Sequence, residues 1–277
     1  SADYEVSPYM YGTYHSENHI DHRARGLMEL NFNDYKVTVS DTFRIFTNRA
    51  DNEDSLRLKQ DTNVFQAALS ADYELLGYEV GYKNSLQIYD SNDLAIAQLT
   101  YEDRNYDDNM AYALMTYRFL PKTLLVVEND LGYIRHFNTS QIPDSVYDDS
   151  LVVIKGEWFS KVNVNLKAGF RYQGYDKSDV IAHKSYVGTV IRGGFDFSPT
   201  DADMIIVALE RTPRESTYSN MNYYTANLAG VTYKHQFNDK ITGGLFGSYQ
   251  LHQYPSQSTS EGVTAKREDN YFSTGVS

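Results

Sequence analysis

Apolar and polar residues alternate along this chain in runs of about 10 to 14 positions, a period of two that puts successive side chains on opposite faces of a strand. In one run Val162, Val164, Leu166, Ala168, Phe170 and Tyr172 fall on one face, and Asn163, Asn165, Lys167, Gly169, Arg171 and Gln173 on the other. Tyr78, Val80, Tyr82, Leu86 and Ile88 likewise stand opposite Glu79, Gly81, Lys83, Ser85 and Gln87, and Leu125, Val127, Leu131 and Tyr133 opposite Glu128, Asp130 and Gly132. Such runs exceed most strands of water-soluble proteins and match strands that cross a membrane within a barrel. The pattern predicts about fourteen strands, near 3–15, 21–33, 35–48, 63–75, 78–90, 106–119, 123–137, 149–160, 162–175, 185–198, 203–215, 222–237, 240–254 and 267–277.

The segments between these runs alternate in length. Asn33-Asp34, Leu76-Gly77, Leu120-Pro121-Lys122, Ser160-Lys161, Ser198-Pro199-Thr200-Asp201 and Asn238-Asp239 read as tight turns. Residues 49–62, 91–105, 138–148, 176–184 and 255–266 read as long loops. Phe119, Phe159, Phe197 and Phe237 each close a strand just before a short turn, at spacings of 40, 38 and 40 residues. A period near forty also suits a propeller, but a blade packs four short strands into that length, and only two long ones fit here. The pattern therefore predicts an all-β fold, an up-and-down antiparallel transmembrane barrel in which residues 1–277 form one domain. Short turns of such barrels face the periplasm, which places the N-terminus there and the chain in the bacterial outer membrane.

Composition supports this assignment. Tyr occurs 25 times and Phe 13 times against one Trp, an enrichment that suits pleated surfaces and membrane interfaces. The mean hydropathy of -0.54 is no obstacle, because polar loops and a polar lumen hide the apolar band from an average. No run of about 18 apolar residues occurs, so crossing a bilayer requires a closed barrel. The absence of cysteine removes disulfide frameworks and thiol chemistry. The net charge of -12 argues against a nucleic-acid partner, which needs clustered Lys and Arg. Asp51-Asn52-Glu53-Asp54, Asp107-Asp108 and Asp148-Asp149 read as solvated loops, with divalent-ion bridging to lipopolysaccharide as the alternative. The chain opens at Ser1-Ala2-Asp3 as a mature exported protein would, and stops mid-strand at Ser273–Ser277. Because such barrels hold an even number of strands, the expectation is a protein truncated here and completed to sixteen or eighteen, a size that encloses an aqueous channel unless plugged.

Three local patterns carry a family resemblance: Tyr117-Arg118-Phe119-Leu120-Pro121-Lys122-Thr123 with Glu128; Gly193-Gly194-Phe195-Asp196-Phe197-Ser198-Pro199-Thr200-Asp201 with Glu210-Arg211; and Gly169-Phe170-Arg171-Tyr172 followed by Gly174-Tyr175-Asp176. Over roughly residues 65–277 the chain resembles an outer-membrane β-barrel porin family whose members accompany exopolysaccharide export systems. The resemblance implies a cell-envelope transport role, an exit pore for a secreted polysaccharide, with periplasmic export or assembly proteins as partners. It implies no catalytic residue.

On the barrel assignment the polar faces line the pore with Arg23, Arg25, Lys36, Arg44, Lys83, Arg118, Lys155, Lys167, Arg171 and Arg192, and with Glu29, Asp72, Glu74, Glu79, Glu128, Asp130, Glu157, Asp196 and Glu210. Rows of opposite charge would set a transverse field and hydrogen-bond a hydrated solute such as a sugar chain; equally, they would be salt bridges that hold the wall. Tyr9, Tyr11, Tyr35, Tyr73, Tyr78, Tyr117, Phe119, Tyr133, Trp158, Phe159, Tyr172, Phe197, Tyr233 and Phe237 suit aromatic girdles at the two membrane interfaces. His15, His19 and His22, with Glu17 and Asp21 between them, read as a polar loop rather than a metal centre. Glu128 and Asp130, two apart on one face, form a weak candidate carboxylate pair. No nucleophile elbow, P-loop or dinucleotide fingerprint occurs. The expectation is a channel without enzyme activity or cofactor, interacting with outer-membrane lipid and lipopolysaccharide. The alternative is a plugged barrel that anchors a surface or periplasmic assembly.

Overall fold

The alternation along the chain becomes a single antiparallel sheet. A computed structural model describes residues 1–13, 15–49, 57–90, 105–137, 143–176, 185–216, 223–260 and 263–276. Its strands are β1 (Ala2–Tyr9), β2 (His19–Asn31), β3 (Lys36–Arg49), β4 (Arg57–Asp72), β5 (Leu76–Tyr89), β6 (Tyr106–Leu120), β7 (Thr123–His136), β8 (Ser145–Phe159), β9 (Val162–Tyr175), β10 (Ser185–Phe197), β11 (Asp203–Glu215), β12 (Tyr223–Asn238), β13 (Ile241–Ser260) and β14 (Val263–Val276). They form one fourteen-stranded sheet in which each strand pairs with its sequence neighbours, so every connection is a hairpin. Among the described residues β1 and β14 do not pair with each other.

Strand boundaries moved where local chemistry overrode turn signals. The β4–β5 turn is 73–75 rather than Leu76-Gly77, closed by the Tyr73 amide donating to the Leu76 carbonyl at 2.8 Å. Gly77 is used inside the ladder instead, opposite Asp72. β1 stops at Tyr9, and a 3-10 turn at His15–Glu17 precedes β2. β4 begins at Arg57, opposite Arg49. β13 and β14 continue through most of the stretch expected as the 255–266 loop, with a register shift between Gln253 and Gln257. Asp107-Asp108 and Asp148-Asp149, expected in loops, lie inside β6 and β8, because each pair puts one carboxylate on either face and both find partners. Asp51–Asp54 falls outside the described residues. At Gly156 and Gly193 the backbone takes φ of 119° and 116°. A Cβ there would lie 2.0 Å from the Lys122 and Asn165 carbonyl oxygens respectively, so these two positions admit only glycine.

Register assigns each residue to a face. The polar runs lie on one side, and contacts there skip strands: the Tyr147 hydroxyl on β8 donates to Asp108 on β6 at 3.1 Å, and Lys167 on β9 donates to Glu128 on β7 at 2.6 Å. Such strand-skipping contacts mark the inner side of a curled sheet, the concave face. The convex face carries exposed Val80, Val127, Leu131, Val152 and Leu245 between aromatics at two levels. Tyr78, Tyr117, Phe159, Phe197 and Tyr233 lie toward the short turns, with exposed Tyr35, Phe119 and Phe237 beside those turns; Phe43, Phe65, Tyr82, Tyr133 and Tyr172 lie toward the other end. Hydrocarbon, rather than water, suits an apolar surface of this extent. Tyr9 and Tyr11 depart from the girdle expectation. Tyr9 shares the concave face with Glu5 and Ser7 and stacks on His19 at 4.8 Å, and the Tyr11 hydroxyl accepts from Arg57 at 2.6 Å.

Candidate functional site

The concave face gathers nearly every charge that the alternation assigned to a pore. Arg23, Arg25 and Glu29 on β2, Lys36 and Arg44 on β3, Asp72 on β4, and Glu79 and Lys83 on β5 share this face by register. So do Arg118 on β6, Glu128 and Asp130 on β7, Lys155 and Glu157 on β8, Lys167 and Arg171 on β9, Arg192 and Asp196 on β10, and Glu210 on β11. Glu74 departs from the set: it sits in the 73–75 turn, outside any strand, because the hairpin there closes earlier than the turn signal suggested.

These charges fall into local networks. Asp149 accepts two hydrogen bonds from Arg171, from Nε and from an Nη, both at 2.6 Å. The guanidinium lies 4.6 Å from the centre of the Tyr147 ring, in the range of a cation–π contact. The Tyr112 hydroxyl accepts from Gln66 at 2.7 Å and donates to Glu79 at 2.9 Å. Toward the first strands Arg23 meets Glu5 at 3.0 Å, and Lys36 meets Glu29 at 3.0 Å. On β11 Arg214 meets Glu210 at 2.7 Å. Arg25, Arg118 and Lys155 are exposed and make no ion pair among the described residues. The face thus combines ion pairs with exposed cations that make none among the described residues.

Burial along this face is graded. On β8 Ser145, Tyr147, Asp149, Leu151 and Val153 are buried, while Lys155 is exposed. On β9 Tyr175 and Gln173 are buried, while Asn165 and Asn163 are exposed. Around β8 and β9 the face is therefore enclosed at its long-loop end and open at its short-turn end. A cavity of about 490 Å³ opens at the short-turn end, lined by Asn31, Lys36, Asp72, Glu79, Thr116 and Arg118 among others.

The histidine cluster does not assemble. His22 faces the convex side, its Nδ1 at 2.7 Å from the Tyr4 hydroxyl, whereas His19 faces the concave side near Asp21. Alternate faces of one strand cannot converge on a single ion. Among the described residues no group of three His, Cys, Asp or Glu is placed to hold a metal. Glu128 accepts from Lys167, so the Glu128–Asp130 pair stands within this ion-pair network. Sequence reasoning missed His136 and Glu215, whose side chains meet at 3.0 Å across four strands' worth of sheet; nothing in a period-two pattern signals so distant a contact.

No protein-family model and no curated protein matches the chain. Solved structures do resemble it in fold. The ferripyoverdine complex of FpvA from Pseudomonas aeruginosa covers 99% of this chain at a TM-score of 0.55 and 12% identity, over 46% of its own length. The FpvAI–pyocin S2 complex covers 99% at 0.54 and 11%, over 47% of its length. The ferric enterobactin receptor PfeA of Pseudomonas aeruginosa covers 93% at 0.51 and 7%, over 49% of its length. The chain thus spans about half the length of these proteins. At such identities the likeness establishes the fold: antiparallel up-and-down strands of the outer-membrane β-barrel type.

Proposed function

We propose that this protein is a bacterial outer-membrane β-barrel channel, without enzyme activity, that passes a hydrated polar solute. The observation that carries it is the opposition of two faces: a convex apolar surface with aromatics at two levels, and a concave face bearing charges of both signs, some of them free. Lipid and lipopolysaccharide are the partners of the convex face. In this assignment residues 1–277 belong to one barrel domain, with the short turns and the N-terminus in the periplasm and the open end of the concave face turned the same way. The fold shared with outer-membrane receptors supports the setting. The finer role of exit pore for a secreted polysaccharide rests on the sequence resemblance, with the free cations Arg25, Arg118 and Lys155 as hydrogen-bond donors to a polar chain.

Conductance across a planar bilayer tests the channel. The full-length protein is expected to give ion currents of weak charge selectivity, since cations and carboxylates are interspersed on the concave face. Arg118→Glu together with Lys155→Glu is expected to shift that selectivity toward cations, read as a change in reversal potential under a salt gradient. A folded barrel that never conducts favours the second assignment, a closed barrel that anchors an assembly. Burial of the concave face at its long-loop end is the observation on that side.

A further inference from the structure

We infer that the end of the β11–β12 ribbon, Thr212–Ser216 with Tyr223 and Tyr224, is a lid that folds across the concave face and closes the passage at its long-loop end. The inference rests on the channel assignment and adds its regulation. Three strands separate β11 from β7 in the sheet. At about 4.8 Å per strand, Glu215 and His136 would stand roughly 19 Å apart along the wall, beyond the combined reach of their side chains. Yet the His136 Nε2 and a Glu215 carboxylate oxygen lie 3.0 Å apart. The ribbon must therefore leave the wall and cross the mouth.

A second contact, independent of the first, gives the same geometry. Glu215 and Tyr223 are cross-strand partners and hold the register of the convex face. Nevertheless the Tyr223 ring stacks on Tyr175 of β9, with centroids 6.3 Å apart and planes 2° from parallel, and meets Tyr186 of β10 edge-on at 5.0 Å. Residues destined for the outside touch the inside of three other strands, as they do only if the ribbon end has turned over. Thr212, Pro213 and Ser216 are buried beneath this fold.

The closed arrangement is held incompletely. Tyr175 Oη and Glu215 Oε1 are buried without a hydrogen-bond partner among the described residues. A buried polar group without a partner opposes the state that buries it. The His136–Glu215 bond and the tyrosine stack act against that cost, and opening the lid would hydrate both atoms. A lid so balanced is suited to movement.

The chain contains no cysteine, so one introduced thiol reports access without background. Gln173→Cys places it on the concave face of β9 between Arg171 and Tyr175, at a buried position. In the full chain, reconstituted in liposomes, a membrane-impermeant maleimide is expected to label Cys at 173 slowly. Adding Glu215→Gln, which keeps the side chain's size, or Tyr223→Ala is expected to raise the rate about tenfold or more, the factor for one lost charge-assisted bond. Fast labelling without either change, or equal rates in all three proteins, would overturn the lid. Increased labelling in barrels that never conduct would keep the lid and remove the channel; conductance with unchanged labelling would do the reverse.

Discussion

Asp149→Ala is expected to destabilise the folded barrel by roughly 3–5 kcal/mol, the cost of leaving a buried charge without its partner. The Asp149 side chain is 1% exposed and that of Arg171 13%. Both bonds of the bidentate pair are lost at once, and the guanidinium keeps the face of Tyr147, which offers no hydrogen-bond acceptor in its plane, and the more distant carboxylate of Asp108. Water cannot readily replace the carboxylate at a position so enclosed. Replacing both partners, Asp149→Leu with Arg171→Met, is expected to cost far less than the single change, because no charge is then stranded. Urea unfolding in liposomes measures the difference, with the only tryptophan, Trp158, as the fluorescent probe. The exposed pair Lys36–Glu29 is the internal control: Glu29→Ala should change stability by about 0–1 kcal/mol. If Asp149→Ala behaves like that control, the concave face is wet at this level and the Arg171 charge is not buried.

What was legible in the sequence was whatever depends on period two. β9 is the clearest case: Val162–Tyr172 against Asn163–Gln173 gave the strand, its faces and the Lys167 and Arg171 side together, because alternation is the geometry of a strand. The breaks came where a local signal and a cross-strand partner disagree. Asp148-Asp149 looks like a loop by composition, but Arg171 lies on the neighbouring strand, 22 residues along the chain, and no local rule sees it. The glycine of Leu76-Gly77 suggested a turn and was used in the ladder. The His136–Glu215 contact, 79 residues apart, depends on a ribbon leaving its own sheet, which alternation cannot encode. Glu74 shows the converse: it has the character of a lining residue and sits in a turn because the hairpin closes at 73–75.

The glycines of the concave face mark where its tyrosines lie. Tyr147 on β8 pairs directly with Gly132 on β7, and a Cβ at Gly132 would come within 2.1 Å of the ring. Tyr112 on β6 covers Gly81 on β5 in the same way, at 2.4 Å. Each ring lies flat over the neighbouring backbone, an arrangement that shields a glycine and fixes register. The position also aims the hydroxyl: that of Tyr147 reaches Asp108 beyond the glycine strand, and that of Tyr112 reaches Glu79 and Gln66. Gly132→Ala is therefore expected to destabilise by about 1–3 kcal/mol, as overpacking does, even though alanine is the better strand residue by backbone entropy. The ring cannot lift without breaking its bond to Asp108 and its contact with Arg171. Tyr147→Leu is expected to destabilise as well, by removing the hydroxyl's bond and the cation–π face. Combined, the two changes should fall short of their sum by about 1 kcal/mol or more, because the clash that alanine creates needs the ring. A double-mutant cycle in urea measures this, and strict additivity would mean that Tyr147 does not lie over Gly132 in the membrane.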